Sequence, residues 1–168
     1  GHLVMALEID ETLSDSCFAE ILQLTHALTG ITVSESRKSM VIGRLRKRLL
    51  SNSLTQYEDY LRFVRQSPDE MGHFIDSMTT NETYFFRTPR VWSYLLDDFI
   101  PHWIGSNPGR SLTLWSAAAS TGEEAHTAGV LFEQIREKRK EFDYKILGSD
   151  ISGRVIDVAR KGLYSGRA

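Results

Sequence analysis

The stretch Thr79-Thr80-Asn81-Glu82-Thr83-Tyr84-Phe85-Phe86-Arg87 sets hydroxyls, an amide, a carboxylate and a guanidinium among three aromatic rings. It has no amphipathic period, and core packing alone would not ask for Asn81, Thr83 and Arg87 around two phenylalanines. A ligand-contacting segment and a packed loop or strand edge both account for such a pattern. The second unusual stretch is Ala117-Ala118-Ala119-Ser120-Thr121-Gly122-Glu123-Glu124. Small residues between a strand and a helix let the backbone approach a ligand closely, and the helix start behind them offers free amide donors.

A phosphate-binding loop would show G-x-G-x-x-G at this point. Here the loop has the single glycine Gly122, followed by two carboxylates that suit the helix dipole and would repel a pyrophosphate. A cationic ligand without phosphates fits better, and the sulfonium and amino group of S-adenosylmethionine answer that description. Glu123 and Glu124 acting only as helix-terminal charges is an equal alternative on this loop alone. Asp150 directly follows a predicted strand, where a carboxylate can accept hydrogen bonds from ribose hydroxyls. Taken singly it reads equally well as a helix cap with Ser152. Beside the small-residue loop, the binding reading is the stronger.

A third feature is basic. Arg37, Lys38, Arg44, Arg46, Lys47 and Arg48 crowd one predicted helix. At 3.6 residues per turn, Arg37, Arg44 and Arg48 share a stripe beside the apolar Leu45 and Leu49. In a chain of formal net charge −2 this is a local feature, suited to an acidic helical partner or a nucleotide phosphate, although most such runs are solvated faces. No aromatic interleaving or nucleic-acid motif accompanies it, so nucleic acid is not expected.

The elements that must position these residues follow from caps and periodicity. Five helices are predicted up to about Ile104. The first lies between Ser14 and Gly30, and the second runs from Ser34 to about Leu50. The third opens on a Thr55–Glu58 capping box, and the fourth spans Pro68 to about Met78. The fifth opens at Thr88-Pro89, with Pro101 ending or kinking it. The pattern then changes to a strand over Ser111–Ser116, the small-residue loop, a helix from about Glu123 to Lys140, a strand over Lys145–Ser149 and a helix from near Ser152. Strand, loop, helix, strand, acid, helix opens a parallel α/β sheet. The domain boundary is expected at residues 104 to 110.

Composition bounds the rest. Of 168 residues, 41% are hydrophobic and 25% charged, values typical of a globular protein rather than a disordered one. One cysteine, Cys17, excludes an internal disulfide and fits a reducing, cytoplasmic setting. The five histidines are scattered, so no metal site is indicated. No apolar run approaches the ~20 residues that span a bilayer. Residues 1–12 read as a tag or leader.

Together the motifs Thr80–Arg87, Trp115–Glu124 and Ser149-Asp150-Ile151 resemble the CheR-type chemotaxis receptor methyltransferases. Leu13-Ser14-Asp15, Gly30-Ile31, Met40-Val41 and Arg44-Leu45 agree with that family's helical N-terminal domain, and the resemblance runs from about Leu13 to Arg167. It implies a small all-α domain (13–104, including the cofactor-contacting segment 79–87), then the beginning of a Rossmann-like α/β domain (110–168). It also implies methyl transfer from S-adenosylmethionine to glutamate side chains on chemoreceptor cytoplasmic helices. By position, Asn81, Thr83 and Arg87 would contact the cofactor and border the reaction centre, where Arg87 would orient the incoming carboxylate. Gly122 would belong to the cofactor-binding loop, Glu124 would bind the methionine amino group, and Asp150 the ribose. Arg37, Arg44, Lys47 and Arg48 would face the receptor. A structural salt bridge is the alternative role for Arg87.

Ala125 and His126 replace the family's usual proline and tyrosine. Family members also continue for about another domain's worth of chain, which makes this sequence, by expectation, a fragment whose open sheet edges favour self-association. The rival reading is a non-catalytic module that binds a receptor or a nucleotide-type regulator. A dinucleotide-dependent oxidoreductase is weakened by the missing glycine motif.

Overall fold

The computed structural model describes residues 12–166, and the chain divides between Thr80 and Asn81 into two compact units. Nearly all of the leader expected over 1–12, and Arg167 at the far end of the resemblance, lie outside the described residues.

The first unit is all helix. Helix α1 (Asp15–Thr29) starts because the Ser14 side chain accepts from the Cys17 amide, and it ends at Gly30 with φ 73°. Ser34 caps a tight 3-10 turn, Glu35–Arg37, that runs into α2 (Lys38–Ser51). Helix α3 (Tyr57–Gln66) is followed by α4 (Pro68–Met78), opened by the Ser67 side chain with Pro68 at its first position. The expected Thr55–Glu58 capping box does not form. The cap position is Gln56, one residue too late for that pairing, and Glu58 instead accepts from Ser14 Oγ at 3.0 Å. Val41, Leu45 and Leu49 recur every four residues on α2 and are fully buried, as one helix face requires. They pack with Phe18, Ile21, Tyr57, Tyr60, Val64 and Phe74.

The second unit holds the segment from Asn81, then α5 (Pro89–Tyr94), a π turn (Leu95–Phe99) and α6 (Ile100–Ser106). Thr88 does not cap α5: it sits in the left-handed region, φ 59°, with no side-chain cap bond. The helix continues past Pro101. The π turn, in which the Ile100 amide bonds Leu95 O, widens the coil where the proline ring would press on the carbonyl of Asp97.

Strand β1 (Ser111–Ala117), α7 (Glu123–Lys138), β2 (Asp143–Ser149) and α8 (Gly153–Lys161) follow, and the strands pair in parallel from Ser111↔Asp143 to Ala117↔Ser149. Trp92, Ile100 and Ile104 share a core with Ala128, Phe132 and Phe142, against which Leu112, Leu114, Tyr144 and Ile146 pack. Helices α5 and α6 therefore belong to the α/β unit. This corrects the boundary expected at 104 to 110, because their apolar faces need the sheet and α7. The opposite sheet face carries exposed Thr113, Trp115, Lys145 and Leu147.

Candidate functional site

Two parallel strands end side by side, and the chemistry-bearing loops leave from their carboxyl ends, where open α/β sheets place ligands. After β1 the backbone turns through Ala118 (φ 56°), Ser120 (φ 51°) and Gly122 (φ 97°). Two non-glycine residues in the left-handed region within three positions is strain that its surroundings must hold. Asp150 supplies one brace: its Oδ2 accepts from the Ser120 amide and its Oδ1 from the Ser152 amide, both at 2.9 Å. The Ala119 amide bonds Ser149 O at 2.8 Å. Tyr164 supplies a third hold, donating its hydroxyl to Thr121 O at 2.7 Å. Burial, and then the charge of Glu123, push the Tyr164 pKa up, so the hydroxyl keeps its proton.

The two acids at the start of α7 separate in role. Thr121 Oγ1 donates to Glu123 Oε2 at 2.5 Å, which ties Glu123 to the loop. Glu124 is exposed and borders two cavities of about 360 and 70 Å³. Ser116, 2% exposed at the end of β1, donates to Glu124 Oε1 at 2.6 Å.

The segment before α5 forms the facing wall. Arg87 Nη1 donates to Glu82 O at 2.8 Å, and the guanidinium carbon lies 5.9 Å from the Tyr84 ring centroid. Trp92 Nε1 donates to Arg87 O, and the Phe86 amide donates to Thr127 Oγ1 on α7. The larger cavity is lined by Arg87, Val91, Trp92, Leu114, Trp115 and Glu124 among others. Glu82, Thr83, Tyr84 and Ser120 join Arg87 and Glu124 around the smaller one.

Of the residues singled out from sequence, the structure brings Thr83, Arg87 and Glu124 to these cavities. Asn81 meets the loop by its backbone, accepting from Ser120 Oγ at 3.5 Å. Gly122 is buried, and a Cβ there would lie 2.7 Å from Ala159 Cβ and 2.8 Å from the Tyr164 hydroxyl. Its place is against α8, and close packing, together with the positive φ, is what requires glycine. Asp150 reaches the site through the loop it braces. Arg87 is held by the carbonyl of Glu82, five residues earlier, and not by a salt bridge among the described residues.

In the other unit the basic stripe divides. Arg37 and Lys47 are exposed. Arg44 donates to Ser77 O and Thr80 Oγ1. Arg48 donates to both oxygens of Glu70, at 2.9 and 2.7 Å, which removes it from the face offered to a partner. Ser116, Trp92 and Tyr164 were missed. Only Ser116 left a signal, a hydroxyl where Leu112-x-Leu114 sets an apolar inward series. Among the described residues no group of three His, Cys, Asp or Glu could hold a metal, and no helix is long and apolar enough to cross a membrane.

A parallel strand-loop-helix-strand unit, with acids following both strands, has the arrangement of an α/β ligand site. Comparison with known proteins gives that arrangement a family. The profile described as "CheR methyltransferase, SAM binding domain" matches residues 81–168, and "CheR methyltransferase, all-alpha domain" matches 17–79. The chain is 36% identical over 149 residues to chemotaxis protein methyltransferase 2 of Pseudomonas aeruginosa, covering 88% of this chain and 51% of that protein. With the chemotaxis protein methyltransferase of Escherichia coli it shares 33% over 168 residues, 98% and 56% of the two chains. The Borreliella burgdorferi protein of the same name is 30% identical over 152 residues, 87% and 54%. The chain belongs to the CheR methyltransferase family. It spans about half the length of the curated relatives it matches.

The donor set suits S-adenosylmethionine. Glu124 presents a carboxylate at a cavity where a cation would be welcome, and one hydroxyl donor uses only one of roughly four acceptor positions. The larger cavity is of ligand size, within the ~300–1,000 Å³ usual for small-molecule sites.

Proposed function

We propose that this chain carries the cofactor-facing part of a methyltransferase that moves a methyl group from S-adenosylmethionine to glutamate side chains on the cytoplasmic helices of chemoreceptors. The observation that carries the reading is the pairing, around one cavity, of an exposed Glu124 carboxylate with the Arg87 guanidinium. Glu124 accepts from the methionine ammonium. Asn81 and Thr83 contact the cofactor from the facing segment. Asp150, with an acceptor position left on each oxygen, takes the ribose hydroxyls while keeping the loop in place, and Gly122 lets that loop lie against α8.

When bound, the cofactor supplies a methyl on a sulfonium, which leaves as a neutral thioether. The protein's own share is therefore positioning and desolvation rather than proton transfer. Arg87, fixed by Glu82 O and stacked near Tyr84, orients the incoming carboxylate by charge-assisted hydrogen bonds. The basic residues of α2 and the turn before it (Arg37 and Lys47, with Arg44) meet the acidic receptor helix. A cytoplasmic setting belongs to the same proposal, as does self-association through the open edges of the two-stranded sheet, which sedimentation at several protein concentrations measures.

The test is calorimetric titration of S-adenosylmethionine and its demethylated product into the chain. It is paired with methyl transfer to receptor cytoplasmic fragments by the full-length protein and its Arg87→Ala variant. Saturable binding and loss of transfer in the variant are expected. Normal turnover by Arg87→Ala would overturn the role of Arg87. Receptor binding without any cofactor affinity would replace the enzyme reading with that of an interaction module.

A further inference from the structure

We infer that Ser116 is a positioning residue of the site: its hydroxyl holds the Glu124 carboxylate in the orientation that receives the ligand's ammonium group. The inference rests on the reading of Glu124 given above and adds a residue to it.

Along β1 the residues facing α7 are Leu112, Leu114 and Ser116, the first two packed against the apolar core. A third apolar side chain would continue that series. The hydroxyl that replaces it is 2% exposed, and a buried hydroxyl needs a partner. Its partner is Glu124 Oε1 at 2.6 Å, a short, charge-assisted bond.

The bond matters because, among the described residues, Ser116 is the side chain that holds the Glu124 carboxylate. Glu123 is closed onto Thr121 within the loop, whereas Glu124 projects to the cavities from an exposed position in the first turn of α7. A glutamate side chain free to sample its rotamers loses that freedom on binding, and a carboxylate already fixed does not. Ser116 is anchored in the strand, so it carries the rigidity of the sheet to a carboxylate on the neighbouring helix. Donation to Oε1 leaves the carboxylate, which lines both cavities, with the acceptor capacity an ammonium requires.

The experiment compares two ligands that differ in the group Glu124 would bind. S-adenosylhomocysteine carries the amino acid moiety, and 5′-methylthioadenosine lacks it. Both are titrated into the unchanged chain, Ser116→Ala, Ser116→Thr and Glu124→Gln, with thermal melting recorded for each. The expected result is about tenfold weaker S-adenosylhomocysteine binding in Ser116→Ala, the size of a lost bond to a charged group, with methylthioadenosine affinity and melting unchanged. Ser116→Thr, which keeps the hydroxyl, restores affinity, and adding Ser116→Ala to Glu124→Gln costs nothing further.

Equal S-adenosylhomocysteine affinity in Ser116→Ala and the unchanged chain would overturn the inference and leave the proposed function standing. Equal losses for both ligands, or a lowered melting temperature accounting for them, would reduce Ser116 to a packing residue and overturn it too. No S-adenosylhomocysteine binding by the unchanged chain would overturn the cofactor reading itself, and the role of Ser116 with it.

Discussion

Each unit places an arginine near a glutamate, and the two arrangements use their charge in opposite ways. In the helical unit Arg48 closes on Glu70 with both carboxylate oxygens engaged, and Tyr60 adds its hydroxyl to Oε1 at 2.8 Å. Glu70 is 4% exposed and Tyr60 fully buried. Burial alone would raise the Glu70 pKa, but Arg48 and Tyr60 together hold it below its ordinary value, while burial and Glu70 push Tyr60 up. In the α/β unit Arg87 and Glu124 border shared cavities, each anchored by a group that leaves charge to spare. A closed pair ties the fold together, and an open one is available to a ligand.

Breaking the closed pair has the largest expected effect. Glu70→Ala leaves a largely buried guanidinium and a buried phenol without their acceptor, and costs about 3 kcal/mol of stability. Urea unfolding followed by helical circular dichroism measures it. The folded Glu70 pKa lies below its ordinary 4.5, so the pair contributes fully above that pH and is lost as pH falls through the folded value. Glu70→Gln is expected to flatten the stability curve below pH 4.5 relative to the unchanged chain. Parallel curves would mean that the charge of Glu70 is not what Arg48 and Tyr60 hold.

Next in size is Gly122→Ala. A methyl at φ 97° would meet Ala159 and Tyr164, and overpacking with backbone strain costs about 2 kcal/mol. Melting of the α/β unit reads this directly. An unchanged melting temperature would show that the loop shifts freely, contrary to the bracing by Asp150 and Tyr164.

These two sites also show what a sequence discloses. Ser14, Gly30, Ser67 and Pro68 set helix ends through bonds to near neighbours, and the parallel strands showed in the change of period after Pro108. The Thr55–Glu58 spacing satisfied a local rule one residue away from the actual cap. Trp92, Ile100 and Ile104 follow the helical pattern of the first unit in sequence, yet their core partners, Phe132 and Phe142, come much later in the chain. Arg48 looked like a surface charge for the same reason, its partner Glu70 being 22 residues away. Thr83, Arg87 and Glu124 were legible as unusual residue types. The hydroxyl of Ser116 and the hold of Tyr164 on the loop are contacts across the fold that no spacing announces.

A change to the open pair should spare the fold. Glu124→Gln keeps the shape and an acceptor for Ser116, and stability is expected within about 0.5 kcal/mol of the unchanged chain. Affinity for S-adenosylmethionine is expected to fall about tenfold or more, because the ammonium loses a charged acceptor. A variant that binds as before would remove Glu124 from the site. One that unfolds would make it a structural residue, as Glu70 is.

The smallest effects are expected at the exposed basic residues of α2 and the turn before it, in contrast to Arg48. Arg37 and Lys47 are exposed, so alanine at either position is expected to change stability by less than about 0.5 kcal/mol. Arg48→Ala strips Glu70 of its bidentate partner and is expected to destabilise strongly. If the exposed face meets acidic receptor helices, Arg37→Ala and Lys47→Ala each weaken that association about two- to threefold at low ionic strength. The difference fades as salt shortens the Debye length to roughly 8 Å at physiological strength and less beyond it. Titration of receptor cytoplasmic fragments at several salt concentrations measures both. Salt-independent binding, or equal losses from charges on the opposite face, would leave α2 without a docking role. Its remaining function would then be the one Arg48 already has, holding Glu70 inside the helical unit.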